Sequence, residues 1–413
     1  MVNGSKGTVG GDFDVDVGVS TGSGVDIRTF GTLIFVALVC AGFSVGVASA
    51  QGQTEVSEPG DLTEVSVDGN YVLVSDINAS GLEGFEPIGD EEEPFTGTFE
   101  GDGNVISGLT VNRSDEEQVG LFGYVGSDGT VTNVGLKDVE VTGGDSTGGL
   151  VGRNEGEVSR SHVMGSVEGN DNVGGLVGRN VGSVSESYAS AEVVGRDRVG
   201  GIVGRNVGSV SESYATGSAE GVSAVGGAVG NNVGELTDAY AITDVEGQRK
   251  IGGLVGDDLG GTIERTYAAG TVGSAMGAGG LIGVRNSNTV VDDSYWDEGS
   301  LGEESSGGEA LSTDEMTGVG AEDNMNFDFN IDEVWETRDG DHPALSWQVH
   351  GYDEGMEEVV GDETQDNRQD EQQNETDEED DEYEPPGEGL PGFGAVVALV
   401  ALVVCGAFLR KMR

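Results

Sequence analysis

The chain has 413 residues, 75 of them glycine, and its acidic residues outnumber its basic ones by 76 to 19, for a net charge of −57. So strong a negative charge excludes nucleic acid as a natural partner, because one polyanion repels another. An acid-rich surface with only four lysines stays hydrated and soluble in concentrated salt, where ions screen its self-repulsion. The composition therefore predicts a halophilic host.

Residues 1–50 contain a predicted export signal. The apolar run TFGTLIFVALVCAGFSVGVASA follows a basic residue and ends in an A-x-A pattern, which is typical of a secretory signal peptide. We expect cleavage between Ala50 and Gln51. A lipoprotein signal at Cys40 is less favoured, because Val39 occupies a position that requires a small residue. Between Cys40 and the second cysteine near the C-terminus there is no cysteine, hence no disulfide framework or thiolate site.

A repeat of 26 residues fills the middle of the chain. The heptapeptide GGLVGRN stands at 148–154 and 174–180, and GGIVGRN follows at 200–206. The third residue of the motif recurs at intervals of 26, 26, 26, 26 and 27, at Leu150, Leu176, Ile202, Ala228, Leu254 and Leu281. Such a period indicates a stack of equivalent supersecondary units.

Each unit contains three short strand-like segments, such as VGGLVG, SVSESYA and AEVV, without helical periodicity. Three strands in 26 residues fit one rung of a parallel β-helix, in which neighbouring rungs are about 4.8 Å apart. We expect glycine at the corners, where it permits positive φ, and where two backbones approach closely. A small-bladed propeller is less favoured, because a blade usually needs about 40 to 50 residues.

Stacked rungs place equivalent residues on top of one another. We expect a ladder of hydrogen-bonded side-chain amides at one corner, formed by Asn154, Asn180, Asn206 and Asn232. An aromatic column is predicted at His162, Tyr188, Tyr214, Tyr240, Tyr267 and Tyr295. Because Glu186 shares a strand face with Tyr188, and a lone carboxylate is costly to bury, the tyrosines are predicted to face outward. The core side would then carry Ser185, Ser187 and Ala189.

The G-G-L-V-G segment followed by a Ser/Tyr strand resembles the repeats of the GLUG-motif family across residues 119–298. Segments such as YVLVSDINASGLEGFEPIGD within 51–118, and VWETRDGDHPALSW further on, look like the usual flanks of such repeats. Residues 51–118 are therefore assigned to the first rungs and N-terminal cap. The resemblance implies a secreted or surface-attached protein, often tied to adhesion, and brings no catalytic motif.

Residues 299–351 are predicted to form a C-terminal aromatic cap. All three tryptophans lie between positions 296 and 347, together with Phe327 and Phe329. These rings could stack on carbohydrate. The favoured interpretation is that they cover the open end of the solenoid, because aromatic side chains bury a large area in a small cap.

Parallel β-helices also host polysaccharide lyases and hydrolases, which act through clustered carboxylates. The sharpest candidate is Asp257-Asp258, but this pair stands where other rungs have Arg-Asn and is interpreted as a corner variant. Neither His162 nor His342 has an evident nucleophile or metal-ligand partner. The protein is therefore predicted to be no enzyme and to carry no cofactor or metal, with a surface polysaccharide-degrading enzyme as the alternative.

Three sequons, candidates for N-glycosylation in the exported part of the chain, begin at Asn78, Asn112 and Asn374. Residues 352–389 form a predicted disordered stalk, since positions 352–388 carry 18 acidic residues and one basic residue, with too few apolar side chains for a core.

Residues 390–413 are predicted to meet the membrane. Taken alone, the apolar run with its basic end predicts a short transmembrane anchor. The order of Pro391, Gly392 and Phe393, an apolar run and basic residues resembles the PGF-CTERM sorting signal of archaeal surface proteins. This resemblance implies an archaeosortase that removes the segment and joins the new C-terminus to a membrane lipid.

These features together predict a glycoprotein anchored to the outer face of the cell membrane, whose β-helix serves adhesion, cell-envelope structure or matrix binding. A surface-layer protein or an extracellular polysaccharide is the expected binding partner.

Overall fold

The structure, a computed structural model, describes residues 52–301, 305–329 and 334–350. These residues form a parallel β-solenoid of about nine turns of about 26 residues, which confirms the predicted all-β parallel β-helix. Several predictions lie outside the described residues: the signal peptide at 1–50 with its cleavage site at Ala50 and Gln51, the stalk at 352–389, the terminal segment at 390–413 with Pro391, Gly392 and Phe393, and the sequon at Asn374. No helix within the described ranges is long and apolar enough to cross a membrane.

Three parallel sheets run through the described residues. Sheet I has 17 strands: Thr54–Val56, Asn70–Leu73, Ile77–Asn78, Thr98–Glu100, Val105–Ser107, Thr110–Asn112, Thr130–Thr132, Gly135–Thr142, Glu157–Ser159, His162–Glu168, Ser183–Ser185, Tyr188–Val194, Ser209–Glu220, Glu235–Glu246, Thr262–Ala268, Val290–Asp297 and Glu309–Leu311. Sheet II has six: Thr147–Gly148, Asp171–Gly174, Asp197–Gly200, Ser223–Gly226, Arg249–Gly252 and Met276–Gly279. Sheet III has seven: Phe122–Val125, Val151–Asn154, Val177–Asn180, Val203–Asn206, Val229–Asn232, Val255–Asp258 and Ile282–Arg285.

The remaining elements are short. Trp335–Arg338 and Asp341–Leu345 form an antiparallel pair. The helical turns are Pro59–Glu64 and Thr313–Glu315, both 3₁₀, and the α-helices Glu298–Leu301, Gly318–Asn324 and Ser346–His350.

One rung passes through the three sheets in turn. From Asp171–Gly174 in sheet II, the chain continues through Val177–Asn180 in sheet III to Ser183–Ser185 and Tyr188–Val194 in sheet I. Each of these strands pairs in parallel with the strand one repeat later, as Asp171 does with Asp197, Val177 with Val203 and Tyr188 with Tyr214. The sequence repeat is therefore the structural repeat.

The main core fills the interior between the sheets. The recurring third residue of the motif is fully buried in all six rungs, as Leu150, Leu176, Ile202, Ala228, Leu254 and Leu281. The branched residue that follows it is also fully buried, as Val151, Val177, Val203, Val229, Val255 and Ile282. Each rung thus removes its neighbour's apolar side chains from water, which stabilises the stack by about 1.5 to 3 kcal/mol per large side chain.

The corners differ from the prediction that glycine occupies them. Two columns of non-glycine residues take the left-handed conformation, with φ between 42° and 62°. One column is Arg160, Glu186, Glu212, Asp238, Arg265 and Asp293, and the other is Ser146, Asn172, Arg198, Ala224 and Lys250. Glycine is needed instead for close backbone approach, since a Cβ at Gly174 would lie 2.1 Å from the carbonyl oxygen of Val177. The corners therefore carry side chains, many of them charged.

The predicted core face of sheet I was wrong at Ser185. The left-handed Glu186 interrupts the strict alternation of an extended strand. As a result Val184, rather than Ser185, lies in the core, while Ser187 and Ala189 are fully buried as predicted. Ser185 is only half-buried.

The predicted aromatic cap covers the side of the solenoid more than its end. Glu309–Leu311 does add a strand beyond Val290–Asp297 at the end of sheet I. Residues 312–329 and 334–350, here named the strap, then return along the outside of sheet I and pack on the tyrosines.

Candidate functional site

The asparagine ladder runs through the corner between sheets III and I. The Nδ2 atom of each asparagine donates to the Oδ1 of the next at 2.9 Å, from Asn154 through Asn180 and Asn206 to Asn232. All four residues are fully buried. Their amides also donate to backbone carbonyls one rung on, such as that of Ser209 at 2.9 Å from Asn180. Hydrogen bonds therefore satisfy these buried amides, and they hold the rungs in register.

The candidate catalytic pair Asp257-Asp258 is divided between two structural roles. Asp258 is buried at the end of the ladder, where it accepts from Asn232 Nδ2 at 2.8 Å and from the backbone N–H groups of Gly260 and Gly261 at 2.9 and 3.0 Å. Asp257 points outward and accepts from Lys250 Nζ at 2.7 Å. Within the described residues, no cluster of three or more His, Cys, Asp or Glu side chains is arranged to hold a metal ion.

The aromatic column is a continuous stack of rings on sheet I. Neighbouring centroids from His162 through Tyr188, Tyr214 and Tyr240 to Tyr267 lie 4.8 to 4.9 Å apart, with interplanar angles of 2° to 7°. Burial lowers the pKa of His162 to about 4 and raises the pKa of Tyr188 to about 12. Tyr295 departs from the stack and packs edge-on against Phe327, at 5.6 Å.

The tyrosines lie outside the main core, as predicted, but the strap covers them. Trp347 packs against Tyr214 at 5.8 Å, and Trp335 packs against Tyr267 at the same distance. Hydrogen bonds fix the cover: Trp335 Nε1 donates to Asp238 Oδ1 at 3.1 Å, and the Tyr267 hydroxyl donates to the carbonyl of Pro343 at 2.6 Å. This packing was hidden from sequence analysis because the partners are separated by 76 residues or more along the chain.

The tryptophans do not form an open platform for carbohydrate. Trp335 is fully buried, and Trp296 and Trp347 are each 8% exposed. Their rings are occupied by protein contacts, including that of Trp296 over the backbone of Gly280. His342 lies in the same cluster, stacked on Tyr267 at 5.8 Å, and burial lowers its pKa despite the nearby Asp297.

A column of arginines stands on the outer face of sheet III. Arg153, Arg179 and Arg205 pair in register in successive rungs, and their side chains are half-buried. The Nε atom of each is buried without a hydrogen-bond acceptor among the described residues. Arg153 packs on the ring of Tyr124 at 4.7 Å and forms an ion pair with Glu155. Arg179 and Arg205 form no ion pair with any described residue, as the salt bridges there involve other side chains.

A basic notch adjoins this column. Its volume is about 400 Å³, and its lining includes four basic side chains against two acidic ones: Arg198, Arg205, Arg249 and Lys250 with Asp197 and Asp257. The notch opens where the left-handed corner column has the small Ala224 between Arg198 and Lys250. Burial, together with the charges of Arg179 and Arg198, lowers the pKa of Arg205.

Sequence analysis gave these arginines no role. The sequence does contain a signal for the arginine column: the sixth residue of GGLVGRN is arginine in three successive rungs, in a chain with only 19 basic residues. What the sequence could not reveal is which arginines lack an acidic neighbour, since that depends on the outward side chains of sheet II.

The two described sequons are accessible. Asn78 and Asn112 are both exposed on strands of sheet I. The Oδ1 of Asn78 accepts from the N–H of Ser80 at 3.1 Å, and this bond does not involve the Nδ2 atom to which a glycan would attach. Glycosylation at this site stays a prediction.

Comparisons with known proteins find partial matches. No protein-family model matches the chain. The chain is 42% identical over 118 residues to halomucin of Haloquadratum walsbyi, across 25% of this chain and 1% of halomucin. It is 36% identical over 102 residues to a putative Gly-rich membrane protein of Evansella cellulosilytica, across 23% of this chain and 12% of that protein.

A solved structure is also similar in part. A putative immunoglobulin A1 protease from Bacteroides ovatus aligns with a TM-score of 0.49 and 18% identity, over 74% of this chain and 95% of the other. The matches to curated relatives span only a small part of each relative. They agree with a surface or membrane protein of a halophile, while the GLUG-motif and PGF-CTERM resemblances remain predictions.

Proposed function

We propose that the protein is a non-catalytic surface glycoprotein of a halophilic archaeon, and that its β-helix is displayed for adhesion or for binding to matrix or cell envelope. The observation that carries this proposal is the in-register repetition of outward side chains on the solenoid. Columns such as Arg153, Arg179 and Arg205 present the same group in successive rungs, about 4.8 Å apart. Repeated groups suit a repeating partner, because many weak contacts add to a strong attachment.

Two further observations support a surface location. The partial relatives are named halomucin and a Gly-rich membrane protein, and the net charge of −57 suits exposure to concentrated salt. In this proposal the predicted archaeosortase joins the chain to a membrane lipid, and glycans on Asn78 and Asn112 occupy the first rungs.

The alternative is a surface enzyme that degrades polysaccharide. A β-helix by itself does not indicate catalysis, because function depends on the site rather than the fold. A hydrolase would need two carboxylates across a shared cleft, whereas Asp258 is buried in the ladder and Asp257 is paired with Lys250. These contacts favour the non-catalytic proposal.

The first experiment is the intact mass of the protein purified from cell envelopes, with and without deglycosylation. Loss of the residues after the PGF tripeptide, together with added lipid and glycan mass, would support the anchored glycoprotein. An unmodified chain that still ends in Arg413 would contradict the sortase prediction.

The second experiment tests adhesion and catalysis together. Cells that lack the protein should attach less well to envelope-coated or matrix-coated surfaces, and the full-length chain should restore attachment. The purified full-length protein should release no new reducing ends or unsaturated sugars from acidic polysaccharides. Such release would favour the enzyme instead.

A further inference from the structure

We propose that the arginine column and the adjoining basic notch form a binding site for the carboxylate or sulfate groups of an acidic polysaccharide. The column comprises Arg153, Arg179 and Arg205, and the notch lies between Arg198 and Lys250. The site is inferred from its own geometry. It rests on the proposed function only for the location, the cell surface, at which the protein would encounter the polymer.

Arg179 and Arg205 each have a buried Nε atom that meets no hydrogen-bond acceptor among the described residues. Arg196 donates to Asp171 at 2.8 Å, and Arg265 forms ion pairs with Asp238 and Glu264. Arg179 and Arg205 form no ion pair within the described residues, in a chain where acids outnumber bases fourfold. Other basic residues without an ion pair, such as Arg249 and Arg285, are exposed to water, whereas the buried Nε atoms of the column need an acceptor that a ligand can supply.

Positive charges within the column repel one another. Arg179 and Arg205 are in register in adjacent rungs, which places them about 4.8 Å apart. Burial, and then the charges of Arg179 and Arg198, lower the pKa of Arg205. An anion bound beside them would relieve this repulsion, so the site favours a negatively charged ligand.

The spacing and shape of the site indicate what kind of ligand fits it. A guanidinium fork matches a carboxylate or sulfate with two parallel hydrogen bonds, and the column repeats this fork along the solenoid axis. A polymer with an acidic group on successive sugars can contact several rungs at once. The notch of about 400 Å³ is within the size range of small-molecule sites and accommodates a sugar unit beside the column.

Concentrated salt explains how an acidic protein can bind a polyanion. At about 1 M salt the Debye length is about 3 Å, so the net charge of −57 is screened while direct hydrogen-bonded contacts remain. Nucleic acid is less favoured than polysaccharide, because the stacked tyrosines of sheet I are covered by the strap and the Tyr124 ring is covered by Arg153, which leaves bases no ring to stack on there.

The experiment titrates the full-length protein with polygalacturonate, chondroitin sulfate, neutral dextran, poly-L-glutamate and single-stranded DNA at about 1 M salt, where only close contacts persist. We expect the two acidic polysaccharides to bind and the other three to bind at least tenfold more weakly. Tenfold is about 1.4 kcal/mol. Tighter binding of polygalacturonate identifies carboxylate as the recognised group, and tighter binding of chondroitin sulfate identifies sulfate. Equal binding of dextran, or tighter binding of poly-L-glutamate or DNA, overturns the proposal.

The main variant is R179Q/R205Q. An amide is tolerated at this position, since Asn231 occupies it in the next rung. The matched control is K137Q/R160Q, which removes the same charge from two exposed positions, one on a strand of sheet I and one at the corner beside it. We expect at least tenfold weaker binding for the first variant and less than twofold change for the second. Equal affinities for both variants overturn the site.

A second pair of variants tests the notch without touching the column. Arg198 and Lys250 take the same backbone conformation as Ala224, so a long side chain is compatible with that position. Ala224→Glu should weaken polysaccharide binding and Ala224→Lys should strengthen it. No difference between the two overturns the notch as part of the site.

Failure of this site and failure of the proposed function are distinguishable. Loss of polymer binding in R179Q/R205Q supports the site, whether or not cells that carry this variant still attach. Full polymer binding by that variant overturns the site, and a loss of attachment on deletion of the whole protein would then still support the proposed function.

Discussion

The asparagine ladder gives the sharpest quantitative prediction, through the substitution Asn206→Ala. Asn206 donates to Asn232 Oδ1 and to the carbonyl of Glu235, both at 2.9 Å, and accepts from Asn180 Nδ2 at 2.9 Å. Asn180 Nδ2 keeps another acceptor, the carbonyl of Ser209. The substitution therefore deprives one buried acceptor and one partly buried acceptor of a donor.

Each buried group left without its partner costs about 1 to 3 kcal/mol, so Asn206→Ala should cost about 3 kcal/mol in the free energy of opening the neighbouring rungs. Global unfolding is a poor readout, because long repeat arrays need not unfold in one step. Hydrogen exchange measured on peptides reports local opening directly. Amides in residues 180–235 should exchange about a hundredfold faster, since 1.4 kcal/mol corresponds to tenfold.

The control is Asn170→Ala, an exposed asparagine in a neighbouring rung, which should change exchange by less than twofold. A change below threefold in Asn206→Ala would refute the view that the ladder holds the rungs together. A uniform change along the whole solenoid would refute the local cost worked out above.

Three further predictions concern pH, the strap and the end of the ladder. Burial lowers the pKa of His162 to about 4 from an ordinary value of about 6.5, so the unfolded chain binds more protons between these values and stability falls as pH drops through this window. His162→Tyr, which restores the residue of other rungs, should remove up to about 3 kcal/mol of this pH dependence. The measurement is hydrogen exchange in peptides that cover 157–168, at fixed salt and corrected for the intrinsic effect of pH on exchange. Identical corrected pH profiles in the two proteins would contradict the burial argument. Trp335→Ala removes a fully buried ring and should cost about 3 to 5 kcal/mol, seen as rapid proteolysis within 312–350 while the solenoid stays intact. The control Val319→Ala, at an exposed position, should leave the strap resistant to protease. Equal resistance of both variants would show that Trp335 does not hold the strap. Asp258→Asn replaces one acceptor oxygen with a donor at the end of the ladder and should cost about 1 to 3 kcal/mol. The loss should appear as faster hydrogen exchange of the amides in 255–262, and unchanged exchange there would contradict the acceptor role of Asp258.

The parts of the fold that repeat could be predicted from sequence. A period of 26 residues means that equivalent residues stack, so the strands, the apolar columns and the alignment of Asn154 with Asn180 follow from spacing alone. The prediction failed at Ser185, where strict alternation was assumed. The left-handed Glu186 breaks that alternation, and a charged residue in this conformation gives no recognisable sequence signal.

The amino-acid sequence by itself determined the β-helix, its rung length, the buried apolar columns and the acidic, salt-adapted surface, because each depends on local spacing or on composition. Only the tertiary structure decided what covers each outward column. Trp347 reaches Glu212 across 135 positions of the chain to cover the tyrosines, while the buried Nε atoms of Arg179 and Arg205 meet no acceptor among the described residues. The physical reason is that contacts between residues so far apart in sequence depend on the path of the whole chain, which no repeat encodes.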